Sequence, residues 1–401
     1  MSKILVLPGT RWQIPLIQKA KRMGHNVFVV NPVKNDRIEQ LADSFFASDI
    51  FLIDEIEKYA KTRGIEAIIS DECDIAMPVV AELGERLKLP TISTATAALY
   101  TNKYMMREFA RKIGIKNAEY QLCENAEDAV EFLKETGRSV IIKPIDCNAS
   151  RGVFKVDSEQ DIRNHFDEAL FFSRIQKAVL AERYISGTEF TVDGIKTPDH
   201  HFTLAISEKK HYRHNENIAK ELLFTHSNNQ YDYERLKRVN DYFIMNSPLV
   251  FGLTHAEYKY ENGEFYLIEI GARGGGNLIS SVISQYMSGF DVYEYLINCS
   301  LGNIVTENFE IQKSYLHRTA LLKFFDVPNG GGTVKDIIGI DFLKEEPDIV
   351  DFALNFSIGD EIKDAASDSN RIGYYIICSE NKEKLEKVMN QVDKQFKILV
   401  E

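Results

Sequence analysis

Three things are scarce in this 401-residue chain, and each scarcity removes a class of function. No apolar run approaches the roughly 20 residues that a membrane-spanning helix needs. The first residues, MSKILVLPGT, carry one lysine ahead of a short apolar strand, which does not read as a secretory signal. A cytoplasmic protein without a membrane partner is expected. Basic charge is the second scarcity: 48 Lys and Arg against 60 Asp and Glu leave a formal charge of −12. That balance argues against nucleic acid and anionic membranes as partners, yet leaves room for a local basic pocket around a nucleotide. Cysteine is the third. Cys73, Cys123, Cys147, Cys299 and Cys378 are scattered and never in CxxC spacing, which speaks against a disulfide framework or a zinc site and for buried thiols. Internal repeats and low-complexity segments are also missing.

Apolar residues, by contrast, make up 44% of the chain, enough for about two to three domains with real cores. From Lys3 to Leu87, short apolar strands alternate with helical segments, the pattern of a doubly wound parallel sheet. Such a sheet binds ligands beyond the carboxyl ends of its strands, here Pro8 to Trp12, Asn31 to Val33 and Ser70 to Asp74. The first turn, PGTRWQ, has one glycine and not the GxGxxG of a dinucleotide site. Arg11, Asp71, Glu72 and Asp74 either hold a small polar substrate there or are loop residues facing water.

Farther on, four stretches carry chemistry. Thr101-Asn102-Lys103 opens a helix running to Lys112, so Lys103 stands beside backbone amides that favour an anion. In SVIIKPIDCNASRGVFKV the β-branched run puts Lys143 on a strand, ahead of a loop of small residues from Asp146 to Gly152. A point charge at the end of a rigid strand and a flexible cover of N–H groups suit a nucleotide phosphate, although the order is not that of a Walker A loop. VLAERYISGTEFTVDGI gives a strand, a break at Ser186-Gly187 and another strand, with Glu182 before the break and Glu189 after it. A segment of this kind can offer backbone groups to an adenine edge and a carboxylate to ribose hydroxyls.

The fourth stretch, THAEYKYENGEFYLIEIGARGGG, reads as a hairpin with one glutamate on each strand. A three-residue loop of Asn262, Gly263 and Glu264 would pair Glu257 with Glu269, whereas a two-residue loop would put them on opposite faces. The longer loop is expected. Opposed carboxylates repel, so a cation should sit between them, and hard oxygen ligands suit magnesium held jointly with substrate phosphates. Arg273, on the glycine-rich turn that follows, is placed as a phosphate clamp. The bland alternative is an exposed hairpin with solvated glutamates.

Taken in order, TNK, VIIKP, the small-residue loop, AERYISGTEF and the paired glutamates ending in EIGARGGG, the chain resembles the ATP-grasp superfamily over nearly its whole length. The resemblance implies an α/β and α+β architecture: a Rossmann-like domain over 1–97, a two-lobed ATP-grasp domain over 98–310 hinged near 182–187, and a C-terminal α+β accessory domain over 311–401. It implies that Lys103 and Lys143 contact ATP phosphates and that Ser150, Arg151 and Gly152 close over them. Glu182 with Tyr184 and Ile185 would form the adenine hinge, and Glu189 would bind ribose. Glu257 and Glu269 would hold Mg2+ or Mn2+, with Arg273 and Lys143 serving catalysis. Gly271 stands where many relatives have an asparagine ligand, and Asn277 is the substitute available here.

GLTHAEYKY, EIGARGGGNLISSVIS and LLKFFDVPNGGGTVKDI are most similar to amino-acid ligases and carbamoyl-phosphate-synthase-like relatives. That implies a carboxylate–amine ligase acting on small-molecule carboxylate and amine substrates through an acyl phosphate, in a homodimer. His255 and Arg318 would line the substrate pocket. A glycinamide-ribonucleotide-synthetase-like or bicarbonate-activating enzyme is the alternative, and an ATP-binding sensor the alternative outside catalysis. Residues 211–225, HYRHNENIAKELLFT, are expected to be a substrate-facing loop or a crossover connection.

Overall fold

The computed structural model describes residues 1–147, 150–174, 176–304 and 309–401. The first strands form a parallel sheet ordered Ser44–Phe46, Asn26–Val30, Lys3–Val6, Ala67–Ile69. Apolar runs build it because helices cover both faces. Ile4 and Val6 pack with Leu16, Ile17 and Tyr293, while Leu5 and Leu7 point the other way into Ile56, Val79 and Leu83. The three-residue strand Ser44–Phe46 was not anticipated; it lies at the edge and carries little pattern.

A small antiparallel sheet follows, ordered Tyr120–Cys123, Val179–Arg183, Val140–Pro144, Phe154–Val156. Helices Ala126–Thr136 and Glu159–Phe172 cover it, burying Val130, Phe132, Ile162 and Phe166 against Ile142 and Ala181. Opposite stands an eight-stranded sheet ordered Glu264–Gly271, Gly252–Glu261, Thr188–Lys196, His201–His211, Ala219–Phe224, Thr319–Phe324, Gly373–Ser379, Ile349–Leu354. Its last three strands come from the C-terminal part, whose strands Glu361–Lys363, Gly331–Ile338 and Lys397–Val400 form a separate three-stranded sheet. Within residues 211–225, His211 ends one strand of the large sheet, Ala219–Phe224 supply the next, and 212–218 connect them, with Asn217 at the cavity described below. Among the described residues no helix is long and apolar enough to cross a membrane.

The glutamate hairpin needs a second correction. Its loop has two residues, Asn262 and Gly263, both at positive φ (51° and 85°), and Glu261 pairs with Glu264. That register alone would separate the two glutamates. The strands nevertheless pair Glu257 with Glu269, because the register shifts after Tyr258↔Leu267 and leaves Ile268 as the extra residue of a β-bulge. The pairing is as expected, but the bulge produces it and not the loop.

The two lobes are joined at Ser186-Gly187, where Glu261 accepts from the Ser186 amide and hydroxyl (2.8 and 2.9 Å). Gly187 has φ +111°, and a Cβ there would lie 2.2 Å from the Tyr260 carbonyl oxygen. Gly187→Ala is therefore predicted to lower stability by about 2 kcal/mol or more, read as a drop in thermal midpoint.

Candidate active site

The carboxyl edge of the parallel sheet, the glycine-rich turn and the large sheet enclose one polar cavity of about 260 Å³. Glu257 and Glu269 face it side by side. Neither is left as a bare charge: Glu257 accepts from Lys209 Nζ at 2.5 Å, and Glu269 from Lys103 Nζ at 2.9 Å. Lys209 also reaches Glu189 at 2.7 Å, and His211 lies 3.2 Å from Glu189. His255 Nε2 stands 3.6 Å from Glu257, while its Nδ1 meets Asp193 at 2.8 Å. Burial works against all these charges, but the partners prevail. Lys209 holds Glu189 down to about 2, and Glu257 lies well below the usual carboxylate range for the same reason with His255 added. Asp193 keeps His255 up at about 9 against its burial.

Arg273 is seated by a bidentate pair with Asp74, at 2.8 and 2.6 Å. Next to it Asp71 is fully enclosed and accepts from the Gly274 amide (2.6 Å), Ser280 Oγ (2.6 Å) and Tyr293 hydroxyl (2.9 Å). Glu72, at positive φ, accepts from the Leu278 amide at 3.1 Å. Burial, then the Asp71 charge, push Glu72 well above the ordinary range. The acidic strand end thus orders the glycine-rich turn, and Glu72 and Asp74 line the cavity. Of the four residues read as holding a small polar substrate or facing water, these two are at the cavity, Asp71 is buried and does neither, and Arg11 lies away from the cavity with its Nη1 on Asn355.

The other anticipated residues divide. Glu189, His255, Ser150, Arg273 and Asn277, with φ 57°, line the cavity beside the paired glutamates. Arg151 and Gly152 line an adjoining cleft with Lys155 and Glu216. Part of the small-residue loop, Asn148 and Ala149, lies outside the described residues. Lys103 and Lys143 are buried behind the cavity wall, Lys143 Nζ resting 2.6 Å from Glu182. Burial lowers Lys143 to about 8 against the attraction of Glu182. Ile185 is buried and Tyr184 gives its backbone N–H to Ser139.

Two placements are corrected. Glu182 does not present its side chain to a nucleotide: Arg107 holds one oxygen at 2.6 Å and Lys143 the other, so both are consumed in a buried ion cluster. Arg318 is not at the cavity. Its guanidinium stacks on Tyr315 (3.5 Å), three residues before it, and on Tyr286 (4.8 Å), and donates to the Tyr286 carbonyl. Arg371, stacked on Phe324 at 3.7 Å and paired with Asp368, is the C-terminal arginine that reaches the cavity. Lys209, Asp193 and Arg107 were also missed. Lys209 was within reach, since Ser207, Lys209 and His211 share one face of a strand once that strand is recognised.

Two facing sheets with the cavity between them and a parallel sheet at one end are the architecture of ATP-grasp proteins. Residues 101–218 match the family described as phosphoribosylglycinamide synthetase, ATP-grasp (A) domain, and residues 324–401 match L-amino acid ligase C-terminal domain 2. The crystal structure of L-amino acid ligase from Bacillus licheniformis superposes with a TM-score of 0.84 at 19% identity, over 100% of this chain and 99% of that one. Phosphoribosylglycinamide synthetase from Anaerococcus prevotii gives 0.73 at 18% identity, over 100% of both chains. By sequence, dapdiamide A synthase of Enterobacter agglomerans is 26% identical over 194 residues, 47% of this chain and 46% of its own. The chain spans about half the length of the relatives it matches by sequence. Residues 101–218 are thus similar to an ATP-grasp domain within a chain that has the ATP-grasp fold, and residues 324–401 are similar to the C-terminal domain of L-amino acid ligases.

The His255–Asp193 pair sets a pH dependence. A histidine raised from its ordinary 6.5 to about 9 contributes stability that is complete below pH 6.5 and lost as the pH rises through 9. The difference in thermal midpoint between wild type and Asp193→Asn, without added metal, is predicted to be largest below pH 6.5 and to shrink towards pH 9.

Proposed function

We propose that this chain is an ATP-dependent ligase that joins an amino acid's carboxylate to the amino group of another, through an acyl phosphate. The observation that carries this is the opposed Glu257 and Glu269 pair, which shares one cavity with Arg273 and a raised carboxyl, Glu72. Phosphoryl transfer needs positioning and charge neutralisation more than a protein nucleophile, and the side chains gathered here are of that kind. Two acidic oxygens from adjacent strands, with Asn277 on the same wall, fit magnesium, which takes one or two carboxylates and completes its shell with phosphates and water. Held by Glu257 and Glu269, it would offset the charge developing on the transferred group. Lys103 and Lys209 neutralise the carboxylates in this structure, and metal binding would release Lys103 towards a phosphate oxygen.

The chemistry then balances simply. A substrate carboxylate oxygen attacks the γ-phosphorus and ADP leaves; an amine attacks the acyl carbon, phosphate leaves, and the amine loses a proton. Arg273, fixed by Asp74, faces the charge that builds on the phosphoryl group. Glu72 offers a carboxyl oxygen to an incoming ammonium at the cavity wall. Ser150, Arg151 and Gly152 would cover the phosphates, with Tyr184, Ile185 and Glu189 around adenosine. Beyond Asp74 and Glu269 lies a second cavity of about 350 Å³ walled by Phe51, Ile53, Ile75, Pro78 and Val79, room for an apolar side chain. We take 1–97, 98–310 and 311–401 as the working units, with the last contributing strands to the large sheet, and the cytoplasm as the place of action.

The test is ADP and phosphate release from MgATP with pairs of amino acids, products read by mass. A product equal to the pair minus one water supports the ligase. Turnover only with a sugar-phosphate amine or bicarbonate would favour the ribonucleotide-synthetase reading, which the match over 101–218 serves equally well. Glu269→Gln is predicted to cut turnover by about 100-fold or more with an unchanged circular dichroism spectrum; near-normal turnover would remove the metal assignment.

A further inference from the structure

Arg107 is the largest fully buried side chain in the protein's core, and nothing in the mechanism above uses it. It sits one helical turn after Lys103 on the helix Lys103–Lys112, so the two side chains leave the same face. Its Nε holds Glu182 Oε1 at 2.6 Å, and Glu182 Oε2 in turn holds Lys143. Its Nη2 donates to the carbonyl of Ile268, the bulge residue that precedes Glu269. One guanidinium therefore touches the small sheet through Glu182 and the large sheet through the bulge, from the helix that carries Lys103.

Stability does not explain this arrangement well. Buried ion clusters contribute little to stability compared with apolar packing of the same volume, because desolvation consumes the attraction. A planar fork with divergent donors is, however, suited to fixing two acceptors at a set distance, which a lysine cannot do. The bulge is also what brings Glu269 opposite Glu257, and its carbonyl is the backbone group that Arg107 secures.

We infer that Arg107 is a positioning residue that locks the lysine at the end of the small sheet and the bulge-borne Glu269 of the large sheet into one register. The inference rests on the ATP-binding reading of the cavity. The groups that face Lys143 are Glu182 from the neighbouring strand and Arg107 and Lys103 from the helix. Removing the Arg107 charge while keeping Glu182 leaves attraction without that repulsion, so Lys143 should keep its proton to higher pH.

The experiment measures MgADP affinity by calorimetry between pH 6.5 and 9.5, together with KM for MgATP, kcat and half-saturating magnesium, for wild type, Arg107→Met and Arg107→Lys. In wild type, affinity should fall as the pH passes about 8. Both variants should bind about tenfold more weakly and need more magnesium, the cost of losing a charged hydrogen bond. In Arg107→Met the alkaline fall should move upward, and in Arg107→Lys it should stay. If Arg107→Met does not fold, Arg107→Lys decides through affinity and magnesium requirement. Variants with lowered thermal midpoints but wild-type affinity, magnesium requirement and pH limb would overturn the positioning role. A wild type that binds no MgADP would overturn the functional reading, and the inference with it.

Discussion

Two carboxylates facing each other across a β-ladder set the terms for everything around this site. Glu257 and Glu269 stand on adjacent strands, in surroundings where like charges reinforce each other's cost. The chain meets this with three cations, two of them from other elements. Lys209 comes from a strand beyond the pair, His255 from two residues up the same strand, and Lys103 from a helix outside the sheet. Each cation has its own second anchor: Glu189 for Lys209, Asp193 for His255, the Cys147 carbonyl for Lys103. The result is a lattice of alternating charge whose members cannot be moved singly.

That lattice continues into the N-terminal sheet. The carboxyl ends of parallel strands collect backbone polar groups and ligands in any doubly wound fold. Here Asp71 and Asp74 use the position to organise another part of the chain, binding the Gly274 amide, Ser280 and Arg273. Gly274 and Gly275 are required for this approach, since a Cβ would meet Ser280 at 2.4 Å in the first case and Asp193 at 2.6 Å in the second. The glycines at 274 and 275 are a packing requirement.

Much of this was legible from residue patterns, and the exceptions have physical causes. Continuous apolar strands and capped helices announced the parallel sheet, and Asn102 caps the Lys103 helix as its sequence indicates. Glu257 and Glu269 were paired in the expected way through an unexpected device. A bulge leaves no mark in an alternating sequence, because LIEI reads the same whether or not Ile268 is skipped. Glu182 and Arg318 were placed by neighbourhood, and their partners Arg107, at 75 residues' separation, and Tyr286 are tertiary facts, while Tyr315 is local to Arg318. Lys209 escaped because a polar strand in the middle of a sheet looks like a loop until its neighbours are known.

The C-terminal strands add a last constraint. They extend the large sheet, and the segment leading into Gly373–Ser379 carries Asp368 and Arg371 to the cavity rim. Asp368 accepts from Ser150 at 2.9 Å, and Ser150 also donates to the Asn217 carbonyl at 3.2 Å. Ser150 belongs to the small-residue loop of the opposite lobe and sits at positive φ. Ser150 is therefore held by one residue of the large sheet's connecting segment and one of the C-terminal part. Since Arg371 fixes Asp368 while its own nitrogen bonds the Ala219 carbonyl, the C-terminal part sets where that loop rests. The anchor is Asp368, 218 residues away in sequence, so the C-terminal part fixes a residue of the cavity wall without being next to it in the chain.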